Sequence, residues 1–205
     1  MTLPKTYDAA PLPAYSISSH APLYMGQVLL AAIEGTMFLI LIAMYFYIRL
    51  SLDVWPPPGV QFPAPALPTL ALLPLLLSAV GSYWASEGAK KNDRFAILTG
   101  MIANIILGGI FLLMEGASWR SFNFTWESDI HGSIVWSLLF LFTLDAVADL
   151  IFTTVLTVAI ALGRCGPRQR LGVHVDSVVW YFIVLIWLPI YGVIYWGPRI
   201  LGGGQ

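Results

Sequence analysis

The sequence predicts an all-α fold, a polytopic membrane helix bundle with about five transmembrane helices, and three observations predict it. Of its 205 residues 58% are hydrophobic, only 10% are charged, and the mean hydropathy is +0.79. A soluble domain carries about a quarter charged residues, so the composition belongs to the membrane class. The apolar residues gather in long runs, and a hydrocarbon core of about 30 Å takes roughly 20 of them in a helix. Those runs are apolar on every face rather than alternating as barrel strands do, so helices that satisfy their own backbone are expected.

Five runs qualify, at approximately Tyr24–Leu50, Leu67–Trp84, Phe95–Met114, Ile134–Leu162 and Val178–Trp196. Ahead of the first, the polar opening residues with Pro4, Pro11 and Pro13 lack the apolar stretch of a secretory signal. The mature chain is therefore expected to start near Met1, with residues 1–23 as a tail. Pro74 and Pro189 lie inside the second and fifth runs and predict kinks, because proline cannot donate to the carbonyl one turn back. The fourth run is long enough to tilt or to project past the headgroups. Connections are short, and the longest, Ser51–Ala66 with its Trp55-Pro-Pro-Pro-Gly59, is too small and stiff to be a domain. Residues 1–205 thus read as a single membrane domain. No internal repeat is evident, which gives an inverted-repeat transporter little support.

Charge asymmetry predicts the orientation. Lys5, Lys90, Lys91, Arg94, Arg164, Arg168 and Arg170 fall on one side of the five runs, and Arg49, Arg120 and Arg199 on the other. The positive-inside rule then places the N-terminus in the cytoplasm and the C-terminus outside. Trp84, Trp119, Trp126 and Trp196 fall at run ends, as interfacial aromatic belts do. A net charge of −1 leaves no basic surface for nucleic acid. The one cysteine, Cys165, reads as a spare thiol in a basic loop.

Three carboxyls stand inside the apolar runs: Glu34 in the first, Asp145 and Asp149 in the fourth. A carboxylate at mid-bilayer costs about 2.5–3.5 kcal/mol even on the lenient insertion scale. By helix rise, Glu34 lies roughly 15 Å beyond Tyr24, and Asp145 and Asp149 roughly 16 and 22 Å beyond Ile134. Asp145 and Asp149 share one helix face, and two carboxyls that close in low dielectric do not both stay ionised. Ala31 and Gly35 beside Glu34 would let another helix approach. Three readings stay open: protonated packing contacts between helices, a site for protons, a cation or a lipid headgroup, and plain lipid exposure. Glu115, at the end of the third run, is read as interfacial and given no special role.

Other chemistry is missing from the pattern. Haem or copper inside a membrane needs histidines within the helices, and His20, His131 and His174 read as loop or run-end residues. Gly116-Ala-Ser118 has no histidine in reach for a serine protease, and no glycine-rich phosphate loop is present. No residue is assigned a catalytic role, so any chemistry falls to a partner.

Taken together, nearly the whole chain from Gly26 onward resembles subunit III of the haem–copper oxidases, the cytochrome c oxidase type. Glu34-x-x-x-Phe38, followed by Tyr45, Tyr47 and Arg49, is like the family's glutamate-bearing helix. Trp55-Pro56-Pro57-Pro58-Gly59, then Pro65, Leu67, Thr69, Leu72, Leu73 and Ser78, resemble its next loop and helix. Ala89, Arg94, Thr99 and Phe111 follow with similar spacing. His131-Gly132-Ser133 is similar to the family's Tyr-Gly-Ser, and His174, Trp180, Tyr191 and Trp196-Gly197 to its last-helix signature. The chain departs where the family's penultimate helix carries a histidine pair, which here is Asp145 and Asp149. Ser177 stands at the family's aspartate position, one residue after Asp176, and Glu115 at its glutamine.

With five runs, the chain resembles the short bacterial form. The resemblance implies an accessory, non-redox subunit of a respiratory terminal oxidase, in a bacterial cytoplasmic membrane. It would pack on catalytic subunit I and other respiratory subunits, bind phospholipid, and support proton uptake and complex stability. Glu34, Asp145, Asp149, His174 and Trp180 would be its lipid- or proton-linked residues. Haem and copper would sit in the partner subunit, with no cofactor or metal in this chain. Two alternatives stand beside it: a subunit of a nitric oxide reductase-type complex, and a small proton-coupled transporter using Glu34 and the Asp pair as a relay.

Overall fold

A computed structural model describes residues 22–201; Lys5, His20 and the rest of residues 1–21 lie outside the described residues. Helix α1 runs Pro22–Ser51, α2 Ala66–Lys91, α3 Arg94–Ser118, α4 Ile130–Ala161 and α5 Pro167–Tyr191, and no strand occurs among the described residues. All five helical stretches are long and apolar enough to cross a membrane.

The helices overrun the apolar runs where polar residues find partners in the bundle. α2 continues past Trp84 to Lys91, because its last turns pack on α3 through small residues. A Cβ built on Gly100 of α3 would lie 2.5 Å from the Gly81 carbonyl oxygen and the Ala85 nitrogen of α2, so the two backbones touch. The hairpin turns at Asn92, whose φ of 57° is the left-handed conformation that short polar residues tolerate. Asp93 then caps α3, its carboxylate accepting from the Phe95 and Ala96 N–H groups at 3.0 and 3.2 Å.

α5 differs most from the sequence reading. It begins at Pro167 rather than near Val178, since Gly166 precedes a proline at the first helical position, where the missing N–H costs nothing. Arg168 and Arg170 therefore belong to the first turn of α5, not to a loop, and His174 lies inside the helix rather than at a run end. Beyond Pro189 the hydrogen bonding widens into a π-helical stretch, Gly192–Trp196, followed by α6, Gly197–Leu201.

α5 is the central element, packed against α1, α2 and α4, while α3 contacts α2 and α4. Its fully buried Trp180 and Trp187 anchor the core. The Trp187 ring lies 5.4 Å from Phe111 of α3 and 4.5 Å from Phe142 of α4. Among the described helices α1 packs mainly on α4 and α5: 11% of its apolar stretch is buried within the chain, against 50% for the stretch that includes α5. At the opposite end, Asn123 pins the α1–α2 loop, donating to the Gly59 carbonyl at 2.7 Å and accepting from the Gln61 N–H at 2.9 Å.

Candidate functional site

Where α1, α4 and α5 meet they leave a cleft of about 360 Å³. α1 contributes Gln27 and Glu34, α4 contributes Asp145 and Asp149, and α5 contributes Asp176. Helical periodicity explains the convergence. Asp145 and Asp149 are one turn apart and point to the same side, and Glu34 faces them because Gly35 lets α1 approach α5. A Cβ on Gly35 would stand 3.4 Å from the Phe182 ring.

The four acids differ in their surroundings. Glu34 and Asp145 are half-buried, whereas Asp149 is 7% and Asp176 2% exposed. Thr153 donates its hydroxyl to the Asp176 carboxylate at 2.8 Å and also to the Asp149 carbonyl at 3.0 Å, tying α4 to α5. One oxygen each of Asp145 and Asp149, Oδ2, has no hydrogen-bond partner. Among the described residues no Lys, Arg or His lines the cleft. An unpaired buried polar atom costs about 1–3 kcal/mol, so these two oxygens are unfavourable until a proton or another donor reaches them.

Of the residues singled out in the sequence, Glu34, Asp145 and Asp149 are thus brought together, while His174 and Trp180 sit apart from the cleft. His174 stacks on Tyr24 with centroids 5.7 Å apart, and its Nδ1 lies 2.8 Å from the Ser86 hydroxyl of α2. Trp180 donates its indole N–H to the Ser78 hydroxyl at 2.8 Å, and its ring fills the space beside Gly108. Both link α5 to its neighbours.

Two buried acids were missed. Asp176 enters the cleft because α5 starts a few turns before the apolar run, in a polar segment that hydropathy does not mark as helix. Glu115, in the last turn of α3, is 1% exposed. It accepts from the Tyr195 hydroxyl at 2.6 Å and from the Trp119 indole N–H at 3.3 Å. Tyr195 lies far along the chain, and no spacing in the sequence announces that pair. Elsewhere His131 is boxed by Trp55, Phe124 and Tyr45, at 4.8, 4.9 and 6.5 Å. Among the described residues no three His, Cys, Asp or Glu side chains gather as a metal site would require.

Comparison with known proteins agrees with this architecture. Cytochrome c oxidase subunit 3 of Rhizopus stolonifer is 24% identical over 179 residues, covering 85% of this chain and 64% of its own length. The Marchantia polymorpha protein of that name is 25% identical over 177 residues, 83% of this chain and 67% of its own length. That of Pongo pygmaeus is 27% identical over 143 residues, 69% of this chain and 55% of its own length. The chain thus matches between about half and two thirds of the length of these relatives. The family model described as cytochrome c oxidase subunit III matches residues 12–198, from ahead of α1 through the π-helical end of α5, and the chain therefore belongs to the cytochrome c oxidase subunit III family.

Proposed function

We propose that this multi-pass membrane protein is an accessory, non-redox subunit of a respiratory haem–copper oxidase in a bacterial cytoplasmic membrane. It packs on the catalytic subunit, holds phospholipid against its open helix faces, and supports proton uptake and the stability of the complex. Haem and copper belong to the partner. The observation that carries the reading is the meeting of Glu34 with Asp145 and Asp149 at one membrane-embedded cleft in a member of this family. An acid inside the bilayer is costly enough that a working role is the default expectation. Glu34, half-buried on the sparsely packed α1, is the group proposed to carry the proton-linked role.

The experiment purifies the full chain with its native partners in mild detergent and resolves the complex by blue-native electrophoresis with haem staining. Co-migration with haem supports the oxidase reading; a haem-free oligomer overturns it and favours a transporter. An absorption spectrum of the partner separates an oxidase from a nitric oxide reductase-type complex. In the same complex Glu34→Gln, nearly isosteric, is expected to lower sustained turnover or lipid content while leaving assembly normal. Unchanged turnover and lipid content would reduce Glu34 to a packing contact.

A further inference from the structure

We infer that Asp149 and Asp176 form a one-proton site at the floor of the cleft, with Thr153 as the positioning residue that sets the proton on Asp149. The inference deepens the proton-linked reading of the cleft and rests on it. Asp149 lines the cleft, is more than nine-tenths buried, and keeps Oδ2 without a hydrogen-bond partner. Asp176, on the neighbouring helix and 2% exposed, accepts the Thr153 hydroxyl at 2.8 Å. The same hydroxyl lies 3.0 Å from the Asp149 carbonyl, so the two acids meet around one group. Two carboxyls that close in low dielectric do not both stay ionised, and they titrate as a pair. A donated hydrogen bond favours the ionised member, and burial without one favours the protonated member. Thr153 gives its hydrogen to Asp176, so the charge rests there and the proton on Asp149 Oδ2. Binding joins one proton to a lone pair of that oxygen. Release returns it to water or to another carboxylate of the cleft, and no electron is transferred.

The surroundings favour a proton over a larger ligand. Among the described residues the titratable groups lining the cleft beside Asp149 are Glu34 of α1, Asp145 of α4 and Asp176 of α5. α3, which also packs on α4, brings none to it. Gln27 is the amide donor of the cleft, but it belongs to the mouth: by helix rise it lies roughly 8 Å in from Pro22, and Asp149 roughly 18 Å in from Ala161. A metal ion held by side chains needs several of them, and among the described residues no three His, Cys, Asp or Glu gather for one. Glu34 and Asp145 are half-buried and make the more accessible rim. Thr153 has one hydrogen and two acceptors in reach. When Asp176 also takes a proton it can donate to the Thr153 oxygen, and the hydroxyl then turns to the Asp149 carbonyl. The rotor thus follows the charge on Asp176.

Infrared spectra of the full chain in its native complex, reconstituted in lipid and titrated from alkaline to acid pH, test this through the C=O stretch of protonated carboxyls. Subtracting Asp149→Asn and Asp176→Asn from the parent isolates one band each, and the Asp149 band should appear at the higher pH. Thr153→Val removes the hydroxyl and keeps the shape. The Asp176 band should then appear at a pH higher by roughly one to two units, the worth of a hydrogen bond to a charged group. Thr153→Ser should stay close to the parent, which a merely structural loss would not explain. The reverse order of the two bands, or an Asp176 band unmoved in Thr153→Val, would overturn the inference. Loss of the Asp149 band on adding sodium at fixed pH would overturn it too, as the mark of a cation site. Where an Asp→Asn chain fails to assemble, the parent is titrated against Thr153→Val and Thr153→Ser alone, and the absence of a shift that serine restores counts against it. Turnover is read separately. Unchanged turnover in Glu34→Gln with the bands in the expected order removes the proton-uptake reading and keeps the site; lowered turnover with the order reversed removes only the site.

Discussion

Replacing Gly100 by alanine probes the tightest helix contact in the chain. The added Cβ would lie 2.5 Å from the Gly81 carbonyl oxygen and from the Ala85 nitrogen, and 3.0 Å from the Ala85 Cα. Ordinary contact begins at 3.4 Å, so the fit is short by about 0.9 Å against backbone atoms that have no rotamer to turn away. α2 and α3 must part along a contact that includes Gly81, Ala85 and Gly88. Overpacking of this kind costs about 1–3 kcal/mol, and a backbone clash belongs near the upper end. Alanine returns up to about 1 kcal/mol of helix propensity, leaving a net loss of about 2 kcal/mol. Gly109, in the same helix, has nothing within 4 Å of its built Cβ, so Gly109→Ala should show the propensity gain alone. The two variants should therefore differ by about 3 kcal/mol. Unfolding of each full chain by denaturing detergent in mixed micelles, followed by tryptophan fluorescence, reads that difference. Equal stability of Gly100→Ala and Gly109→Ala would refute the backbone contact on which the α2–α3 hairpin is argued.

Other contacts give simpler tests. Ser78→Ala leaves the fully buried Trp180 indole N–H without its acceptor and should destabilise the chain by about 1–3 kcal/mol in the same assay; no loss would show that the bond holds nothing. Asp93→Ala removes the cap of α3 and should cost about 0.5–2 kcal/mol, with Asp93→Asn close to the parent. For topology, the basic residues around the α2–α3 and α4–α5 turns predict that Cys165 faces the cytoplasm. An impermeant thiol reagent outside intact cells should leave it unlabelled until the membrane is opened, and labelling without opening would reverse the orientation.

Composition by itself determined that the chain is a bundle of five helices, because lipid makes the length and apolarity of each crossing nearly independent of its neighbours. Sequence periodicity also determined that Asp145 and Asp149 share a face, since that follows from the pitch of one helix. The family was legible from motifs scattered along most of the chain, as the match over residues 12–198 bears out. What the sequence left undecided are relations between helices. A hydropathy window sees only residues that lipid must accept, so it began α5 near Val178 and lost Asp176 and His174 from the helix. Tertiary packing extends that helix to Pro167, because polar side chains there meet Ser86 and Thr153 rather than hydrocarbon. Packing likewise decided that Glu34 meets the aspartates and that Glu115 is buried under Tyr195. Those pairings join residues far apart in the chain, and their cost or benefit exists only once the helices are in contact.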